Sequence, residues 1–402
     1  MQILKKITTF AVRTKTVKIM STYLASKPRY EILDGLRGVA AMMVVAFHLF
    51  ETYFHMGPDQ PINHGYLAVD FFFALSGFVI GYAYDDRWDK MSLKNFFKRR
   101  LVRLHPMLIF GTLVGLVLFY CGGDFAEFGK VNETPWYSLL LVCLVCLTMF
   151  PLPARFDIRG WGEFNPLNGA SWSLLWEYFA NVCYALFIRR FSNLLLGIFV
   201  GVSAALTVIL CFDIDVFGVL EARSWAKHTV VGGWSLSADQ LQVGFTRLLY
   251  PFFAGLLLSR IKKFITFKGG FWICSLAVVV LLAMPRVGGA DEQNFWMNGA
   301  YEAFSILIMF PLILAVGAGS EIKGNASKKI CAFLGDISYP LYITHYPLIY
   351  WQMSWAATHQ DLPASTHVFF AVSIFVIAIG IAYASLKLYD LPVREWLRKR
   401  WF

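Results

Sequence analysis

Residues 34–48 read DGLRGVAAMMVVAFH, an apolar run with an arginine near its start, Arg37, and a histidine at its end, His48. On an α-helix, residues eleven apart return to within about 20° of the same face, roughly 16 Å further along the axis. The sequence therefore predicts that both side chains point into one cavity of a helical protein. A neutral imidazole there suits general-base chemistry. The alternative is a histidine that only hydrogen-bonds a neighbouring helix.

The composition around this run is that of a membrane protein. Of the 402 residues, 57% are apolar and 15% are charged, whereas soluble domains average roughly a quarter charged residues. In water such a chain would expose more apolar surface than its core could bury, which excludes a soluble enzyme, a disordered chain and a secreted disulfide scaffold. Ionisable groups inside membrane segments are costly and functional by default, so Arg37 and His48 are candidate site residues.

The charge distribution indicates topology. The formal net charge is +10, and the basic residues cluster between apolar stretches, as they do in the cytoplasmic loops of membrane proteins. We therefore expect no nucleic-acid partner. The CxxC spacing of Cys143 and Cys146 has no accompanying ligands, so we expect buried thiols rather than a redox or zinc site.

Eleven apolar segments approach the roughly 20 residues that cross a bilayer. Both ends of the chain are basic and should be cytoplasmic, which requires an even number of crossings. The shortest early segment, 135–150, is followed by two prolines, so we predict an all-α membrane bundle of about ten transmembrane helices with one re-entrant or short apolar segment in the 121–170 region. The alternative is eleven crossings with Arg189 and Arg190 outside. The segments are 34–53, 66–84, 101–120, 135–150, 170–188, 193–212, 241–260, 271–285, 300–318, 331–353 and 366–388.

The same pattern divides the chain into three parts. Residues 1–29 hold seven basic and no acidic residues and are expected to form a cytoplasmic tail. Residues 30–392 form one transmembrane domain, and residues 393–402 form a second basic cytoplasmic tail. No internal repeat or long soluble insertion is visible.

A cluster of arginines begins the third apolar segment. Arg100 and Arg103 lie one helical turn apart, beside Arg99, and such a fork suits the phosphates of a nucleotide-bearing donor. The alternative is that these residues only anchor the cytoplasmic end of a membrane helix.

Two further segments carry polar groups suited to an acceptor. Asp70 lies near the outer end of the second span and is either an acceptor-site carboxylate or a solvated cap. Ser76 and Gly77 on the same span predict close helix packing. Trp172 with Glu177 combines an aromatic face and a carboxylate, as sugar-binding sites do. The alternative for this second pair is an interfacial aromatic belt.

A second histidine occurs near the end of the chain. His345 lies between Pro340 and Pro347, which predicts a broken helix at a cavity and a substrate-binding imidazole. Asp213 and Asp215 have metal-binding spacing but no supporting ligands, so we expect no metal.

These motifs, in this order, resemble the acyltransferase-3 family of integral-membrane acyltransferases over roughly residues 29–400. The family's arginine and histidine match Arg37 and His48, and its Arg-x-x-Arg motif matches Arg100 and Arg103. The other matching segments are Asp70–Phe78, Trp172–Leu174 with Glu177, Ser338–Tyr342 with His345, and Tyr389–Arg394.

The resemblance implies transfer of an acyl group, usually acetyl, from cytoplasmic acyl-CoA to a hydroxyl of an envelope carbohydrate. It implies a multi-pass protein of the bacterial inner membrane, in contact with membrane lipid and with both termini in the cytoplasm. Many relatives have a second acidic residue after the position of Glu177, where this chain has Tyr178. We expect no appended esterase-like domain, so that any periplasmic or membrane partner protein that finishes the transfer would be encoded elsewhere.

We therefore predict a membrane O-acyltransferase with acetyl-CoA as the expected donor and a carbohydrate as the acceptor. A transporter or flippase of a sugar or lipid-linked glycan is the alternative, and a metal-dependent glycosyltransferase is a third hypothesis. The predicted residues are His48, Arg37 and Glu177 for catalysis, Arg99, Arg100 and Arg103 for the donor, and Asp70, Trp172, Ser173 and His345 for the acceptor.

Overall fold

The computed structural model describes residues 27–402. Most of the predicted tail, residues 1–29, therefore lies outside the described residues. Within 27–402 every regular element is helical and no strand occurs. The predicted all-α class is confirmed.

The α-helices of ten residues or more are numbered here in chain order. Short 3₁₀ turns and one four-residue helical turn connect several of them. The helices are α1 (Glu31–Phe54), α2 (Ala68–Tyr84), α3 (Leu93–Val117), α4 (Trp136–Cys146), α5 (Trp172–Leu186), α6 (Asn193–Cys211), α7 (Ala238–Ile261), α8 (Gly270–Ala283), α9 (Phe295–Phe304), α10 (Phe310–Gly319), α11 (Asn325–Thr344), α12 (Tyr346–Thr358), α13 (Ala364–Ser385) and α14 (Leu391–Trp401).

Seven stretches of the described chain are long and apolar enough to cross a bilayer. They comprise α1, α2 with the turn before it, α3, α6, α7, α9 continuing into α10, and α13 continuing into α14. Single π-helical turns, Ser305–Met309 and Leu386–Asp390, join the last two pairs. The polytopic helical bundle is thus present, and the count of ten crossings stays a prediction.

The segment predicted to be short is short. Within residues 135–150, only the 11 residues of α4 are helical, and this helix is about 16 Å long, roughly half of the hydrocarbon thickness. Between α4 and α5 the chain is irregular apart from single 3₁₀ turns.

The predicted span 331–353 is divided at His345. Helix α11 ends at Thr344 and α12 begins at Tyr346, with Pro347 in its first turn. Proline is tolerated there because the N–H groups of a first helical turn have no partner within the helix. The broken helix predicted around His345 is confirmed.

Glycines bring the central helices into close contact. Gly77 of α2 faces the backbone of Phe252 in α7, and Gly255 of α7 faces that of Ala74 in α2, so that a Cβ on either glycine would overlap the opposite helix. Gly38 of α1 meets the backbone of α11 in the same way. The close packing predicted at Gly77 is confirmed, and α1, which carries Arg37 and His48, lies inside the bundle.

Candidate active site

Two cavities lie along α1. The larger, about 610 Å³, is lined by His48, Glu51 and Trp172 and is called here the His48 cavity. The smaller, about 100 Å³, is lined by Arg37, Arg103 and Glu177 and is called the Arg37 cavity. The spacing on α1 predicted a single cavity for Arg37 and His48, and this was wrong, because other side chains separate the two.

The wall between the cavities is formed by Val69 and Tyr342, the two residues that line both. The Tyr342 hydroxyl lies 2.8 Å from the Ser173 hydroxyl and donates to the Ala170 carbonyl at 3.1 Å. Its ring packs edge-on against Phe72. Tyr342 is therefore held at three points between the two cavities.

His48 is oriented by a carboxylate one helical turn further along α1. The Nδ1 atom bonds to the Glu51 carboxylate, and both side chains are mostly buried. No residue in the described part of the chain hydrogen-bonds the other ring nitrogen, Nε2, and His48 lines the cavity. This arrangement presents Nε2 to a ligand while Nδ1 is fixed. Sequence reasoning missed Glu51, although an acidic residue three positions after His48 on an apolar helix was a usable signal.

The second predicted histidine stacks on the first. The His345 ring lies with its centroid 5.4 Å from that of His48, at an interplanar angle of 30°. Its Nδ1 is 2.7 Å from the Tyr342 carbonyl, and its buried Nε2 has no partner in the described chain. His345 is fully buried and lines neither cavity. The structure thus places it behind His48, and acceptor binding by His345 stays a prediction.

The His48 cavity is rich in aromatic and acidic side chains. Four tryptophans line it, and besides Glu51 it contains the carboxylates of Glu127, Glu163 and Asp239. Glu163 accepts a hydrogen bond from the Tyr350 hydroxyl at 2.6 Å, and burial raises the pKa of its carboxyl to about 8. The tryptophans are Trp161, Trp172, Trp225 and Trp234. Except for Trp172, these tryptophans lie outside the α-helices, in segments that no motif singled out.

Asp70 is not open to a ligand. It is fully buried in a salt bridge with Arg247 of α7, at 2.7 Å from Oδ2 to Nη2 and 3.3 Å from Oδ1 to Nε. Arg247 lines the His48 cavity and stacks on Trp172, 5.0 Å from its ring centroid. Asp70 lines neither cavity and acts as the counter-ion that holds Arg247, which sequence reasoning missed.

Three arginines line the Arg37 cavity. Arg37 donates to the Ser338 hydroxyl at 2.8 Å and lies 3.3 Å from Asp34. Arg100 is 2.5 Å from Glu177. Arg103 makes no hydrogen bond or ion pair with any residue of the described chain, so its guanidinium is available to an anion.

The predicted pairing of Trp172 and Glu177 in one sugar site was wrong. The two residues lie on α5, but Trp172 faces the His48 cavity and Glu177 faces the Arg37 cavity, where it also accepts from Ser76 at 2.5 Å. Ser173 lines the Arg37 cavity as well. Glu177 therefore sits on the arginine side of the wall.

Arg99 lies apart from both cavities. Its guanidinium packs on the ring of Phe402, 4.6 Å from the centroid. Of the three predicted donor-binding arginines, the structure brings Arg100 and Arg103 together and leaves Arg99 outside.

The aspartates with metal-like spacing have protein partners. Asp213 pairs with the buried Arg223 at 3.3 Å, and Asp215 accepts the amides of Val219 and Leu220 at 3.0 Å each. The described residues contain no cluster of three or more potential metal-ligating side chains. Both aspartates thus shape the loop that carries Trp225 to the His48 cavity.

Chemically, the site places a carboxylate-oriented imidazole and an arginine cluster on opposite sides of a thin wall. Such an imidazole can take a proton from a hydroxyl. Guanidiniums can bind phosphates and stabilise an oxyanion.

Comparisons with known proteins agree with this chemistry. The O-acetyltransferase OatA of Staphylococcus aureus (strain NCTC 8325 / PS 47) is 25% identical over 382 residues, which are 92% of this chain and 58% of OatA. This chain thus spans less than two thirds of that relative's length. Protein 2 in picA locus of Rhizobium radiobacter is 32% identical over 192 residues, 45% of this chain and 94% of that protein. No solved structure matches the chain.

A family model described as an acyltransferase domain matches residues 30–400. That range contains both cavities and every helix from α1 to α13. The protein therefore belongs to the acyltransferase-3 family.

Proposed function

We propose that this protein is a membrane O-acyltransferase. It moves an acyl group, in the simplest case acetyl, from acyl-CoA at the Arg37 cavity to a hydroxyl of an envelope polysaccharide or lipid-linked sugar in the His48 cavity. The proposal depends mainly on the orientation of His48. Glu51 holds its Nδ1, and its Nε2 faces the larger cavity. Family membership and the similarity to the O-acetyltransferase OatA support the proposal.

The charge of the Arg37 cavity supports an anionic donor. Three guanidiniums and one carboxylate line it, and Arg103 is unpaired within the described chain. Arginine forks bind phosphate oxygens with two parallel hydrogen bonds. A volume of about 100 Å³ holds only a small group. In this proposal the acyl-thioester end therefore enters the cavity, and the nucleotide lies outside it.

The chemical step uses His48 as the general base. Nε2 takes the proton of the acceptor hydroxyl, whose oxygen bonds to the thioester carbonyl carbon. The C–S bond then breaks, and the CoA sulfur leaves with the proton that His48 returns. Arg37 faces the donor side and stabilises the negative charge that develops on the carbonyl oxygen.

The wall at Tyr342 must open during the reaction. His48 does not line the Arg37 cavity, so the thioester and the imidazole meet only when this side chain moves. The requirement holds for direct attack by the acceptor and equally for a relay in which His48 first accepts the acyl group.

The proposal includes an orientation. The Arg37 end of α1 lies on the cytoplasmic side of a bacterial inner membrane, both termini are cytoplasmic, and a periplasmic or membrane partner protein receives or completes the product. This orientation is tested with two variants, Lys328→Cys and Glu127→Cys, each carrying a single cysteine. Intact cells are treated with a thiol reagent that does not cross the membrane, and only Glu127→Cys should be labelled.

The direct test uses purified protein in nanodiscs with labelled acetyl-CoA and envelope glycans. We expect label on the glycan, abolished in His48→Gln and retained in the control His367→Gln, a histidine that lines neither cavity. Undiminished transfer by His48→Gln would refute the mechanism. Glycan uptake into vesicles without covalent change would favour the transporter alternative.

A further inference from the structure

The two cavities have opposite charge. The Arg37 cavity is lined by three arginines and one carboxylate. The His48 cavity is lined by four acidic residues, and Arg247 is the only lysine or arginine of the described chain that lines it. An anionic group is therefore favoured in the first cavity and disfavoured in the second.

The one arginine found among the described lining residues of the His48 cavity is mostly engaged by the protein itself. Besides its salt bridge with Asp70, Arg247 donates to the Tyr66 carbonyl at 2.8 Å and to the Gly232 carbonyl at 3.1 Å. Four of its five N–H groups are thereby used. A phosphate or carboxylate entering this cavity would find no unpaired guanidinium or ammonium among the described residues as a counter-ion.

The carboxylates of the cavity, in contrast, have few cationic partners. Within residues 27–402, Asp239 is buried, makes no ion pair and accepts only from Gln240 Nε2 at 3.0 Å. Glu163 accepts from Tyr350 and has no ion pair with any described residue, and because burial raises its pKa to about 8 it is mostly uncharged at neutral pH. Glu127 is half exposed, and its one ion-pair partner among the described residues is His55, at 3.7 Å. Their remaining lone pairs can accept from hydroxyl or amine donors.

The tryptophans add flat apolar faces to this acidic lining. Such faces pack on the ring of a saccharide, and they also attract ammonium groups. Among the described residues, no lysine and no unpaired arginine lines the cavity to compensate the desolvation of an anion, which costs several kcal/mol when a charge is buried without a partner.

We infer that the saccharide unit entering the His48 cavity is uncharged or carries an amine, and that units with a carboxylate or phosphate are rejected there. The inference rests on the proposed function, because it takes this cavity as the acceptor site. It identifies Asp239 as a specificity-determining residue.

The test is binding of three matched disaccharides to the purified protein, measured by calorimetry at low ionic strength. One disaccharide is neutral, one bears a single amine and one bears a single carboxylate at the same position. We expect the carboxylate form to bind at least about tenfold more weakly than the other two. Equal or tighter binding of the carboxylate form would overturn the inference.

Substitution of a cavity carboxylate provides the second arm. Asp239→Asn keeps the side-chain shape and should strengthen binding of the carboxylate disaccharide and weaken binding of the amine form. Glu395→Gln removes the same charge from an exposed residue of α14 and should leave the ranking unchanged.

A parallel titration with acetyl-CoA distinguishes a failure of this inference from a failure of the proposed function. Acetyl-CoA binding without binding of any disaccharide would overturn the assignment of the His48 cavity and leave the donor site standing. Failure to bind acetyl-CoA at all would instead count against the proposed function itself.

Discussion

At the scale of single residues, the chemistry depends on which nitrogen of His48 is free. Glu51 engages Nδ1, so the tautomer with a proton on Nδ1 is favoured and Nε2 keeps its lone pair for an acceptor hydroxyl. Without this carboxylate the ring could turn or change tautomer. Glu51 is therefore a positioning residue.

Replacement of Glu51 by glutamine tests this role. The amide no longer favours one tautomer, so we expect kcat for acyl transfer to fall about 10- to 100-fold, with the KM for acetyl-CoA little changed. Glu51→Asp should recover part of the loss. A kcat equal to that of the wild type in Glu51→Gln would show that the carboxylate does not orient the imidazole.

Kinetic measurements can distinguish Arg103, which lines a cavity, from Arg99, which does not, although both lie near the start of α3. Arg103 lines the Arg37 cavity without a partner in the described chain, whereas Arg99 packs on Phe402. We expect Arg103→Gln to raise the KM for acetyl-CoA at least about tenfold, the worth of one hydrogen bond to a charged group. Arg99→Gln should change it much less. An equal or larger effect at Arg99 would place the donor outside the Arg37 cavity.

The buried carboxyl of Glu163 makes stability depend on pH. Its pKa is about 8 in the folded protein and 4.5 for the free side chain, so the folded state holds the proton more tightly. This stabilisation is fully present below about pH 4.5 and is lost as the pH rises to about 8, at up to about 1.4 kcal/mol per pH unit.

We therefore expect the thermal midpoint of the purified protein to fall between pH 5 and pH 8.5, and to fall less in Glu163→Gln. The slope of the thermal midpoint against pH is measured for the wild type and for Glu163→Gln. The difference between the two slopes reports on Glu163 alone, because all other titrating residues are the same in both proteins. Parallel slopes for the two proteins would mean that Glu163 already titrates normally in the folded state.

At the scale of elements, helix contact depends on glycines. Gly77 on α2 and Gly255 on α7 let the two helices approach closely. Each glycine lies directly against the backbone of the opposite helix. This contact also sets the distance between Asp70 on α2 and Arg247 on α7. A larger residue at Gly77 would separate the helices and weaken that buried salt bridge.

We expect Gly77→Ala to destabilise the protein by about 1–3 kcal/mol, as overpacking of a tight core does. The matched control is Gly201→Ala on α6, where a Cβ meets open space and alanine is the better helix former. Thermal denaturation in detergent measures both variants. A Gly77→Ala protein as stable as Gly201→Ala would show that α2 and α7 are free to separate.

The elements that sequence reasoning predicted well depend on local patterns. The apolar run of α1, the shortness of α4 and the break at His345 are each encoded by neighbouring residues. The failures concern partners far apart along the chain. Nothing near Asp70 indicates Arg247, and nothing near Glu177 indicates Arg100, because those contacts arise only when separate helices pack.

The same reason explains why the site was only partly predictable. His48 and Arg103 stand out as ionisable residues in apolar helices, and both line cavities. Trp225 and Glu163 lie in irregular segments whose course depends on long-range hydrogen bonds, so no local spacing marks them. The division into two cavities depends on Tyr342, which reaches the wall from α11.

At the scale of the whole molecule, the wall at Tyr342 keeps donor and acceptor apart until it moves. Tyr342→Ala removes the ring and joins the two cavities, so water in the His48 cavity could reach the thioester. We expect this variant to hydrolyse acetyl-CoA without an acceptor several-fold faster than the wild type. Release of free CoA measures the reaction.

Tyr342→Phe serves as the control for that variant. It keeps the ring between the cavities and loses only the hydroxyl contacts with Ser173 and Ala170, so hydrolysis should stay low. Hydrolysis in Tyr342→Ala no faster than in Tyr342→Phe would show that the ring does not seal the passage.

In the proposed function, this molecule adds acyl groups to an envelope glycan through His48. The decisive measurement is mass spectrometry of surface glycans from a deletion strain that is complemented with the wild type or with His48→Gln. We predict that a glycan mass increment of one acyl group is lost on deletion, restored by the wild type and not restored by a normally inserted His48→Gln protein. Unchanged glycan masses on deletion, or full restoration by His48→Gln, would contradict the claim.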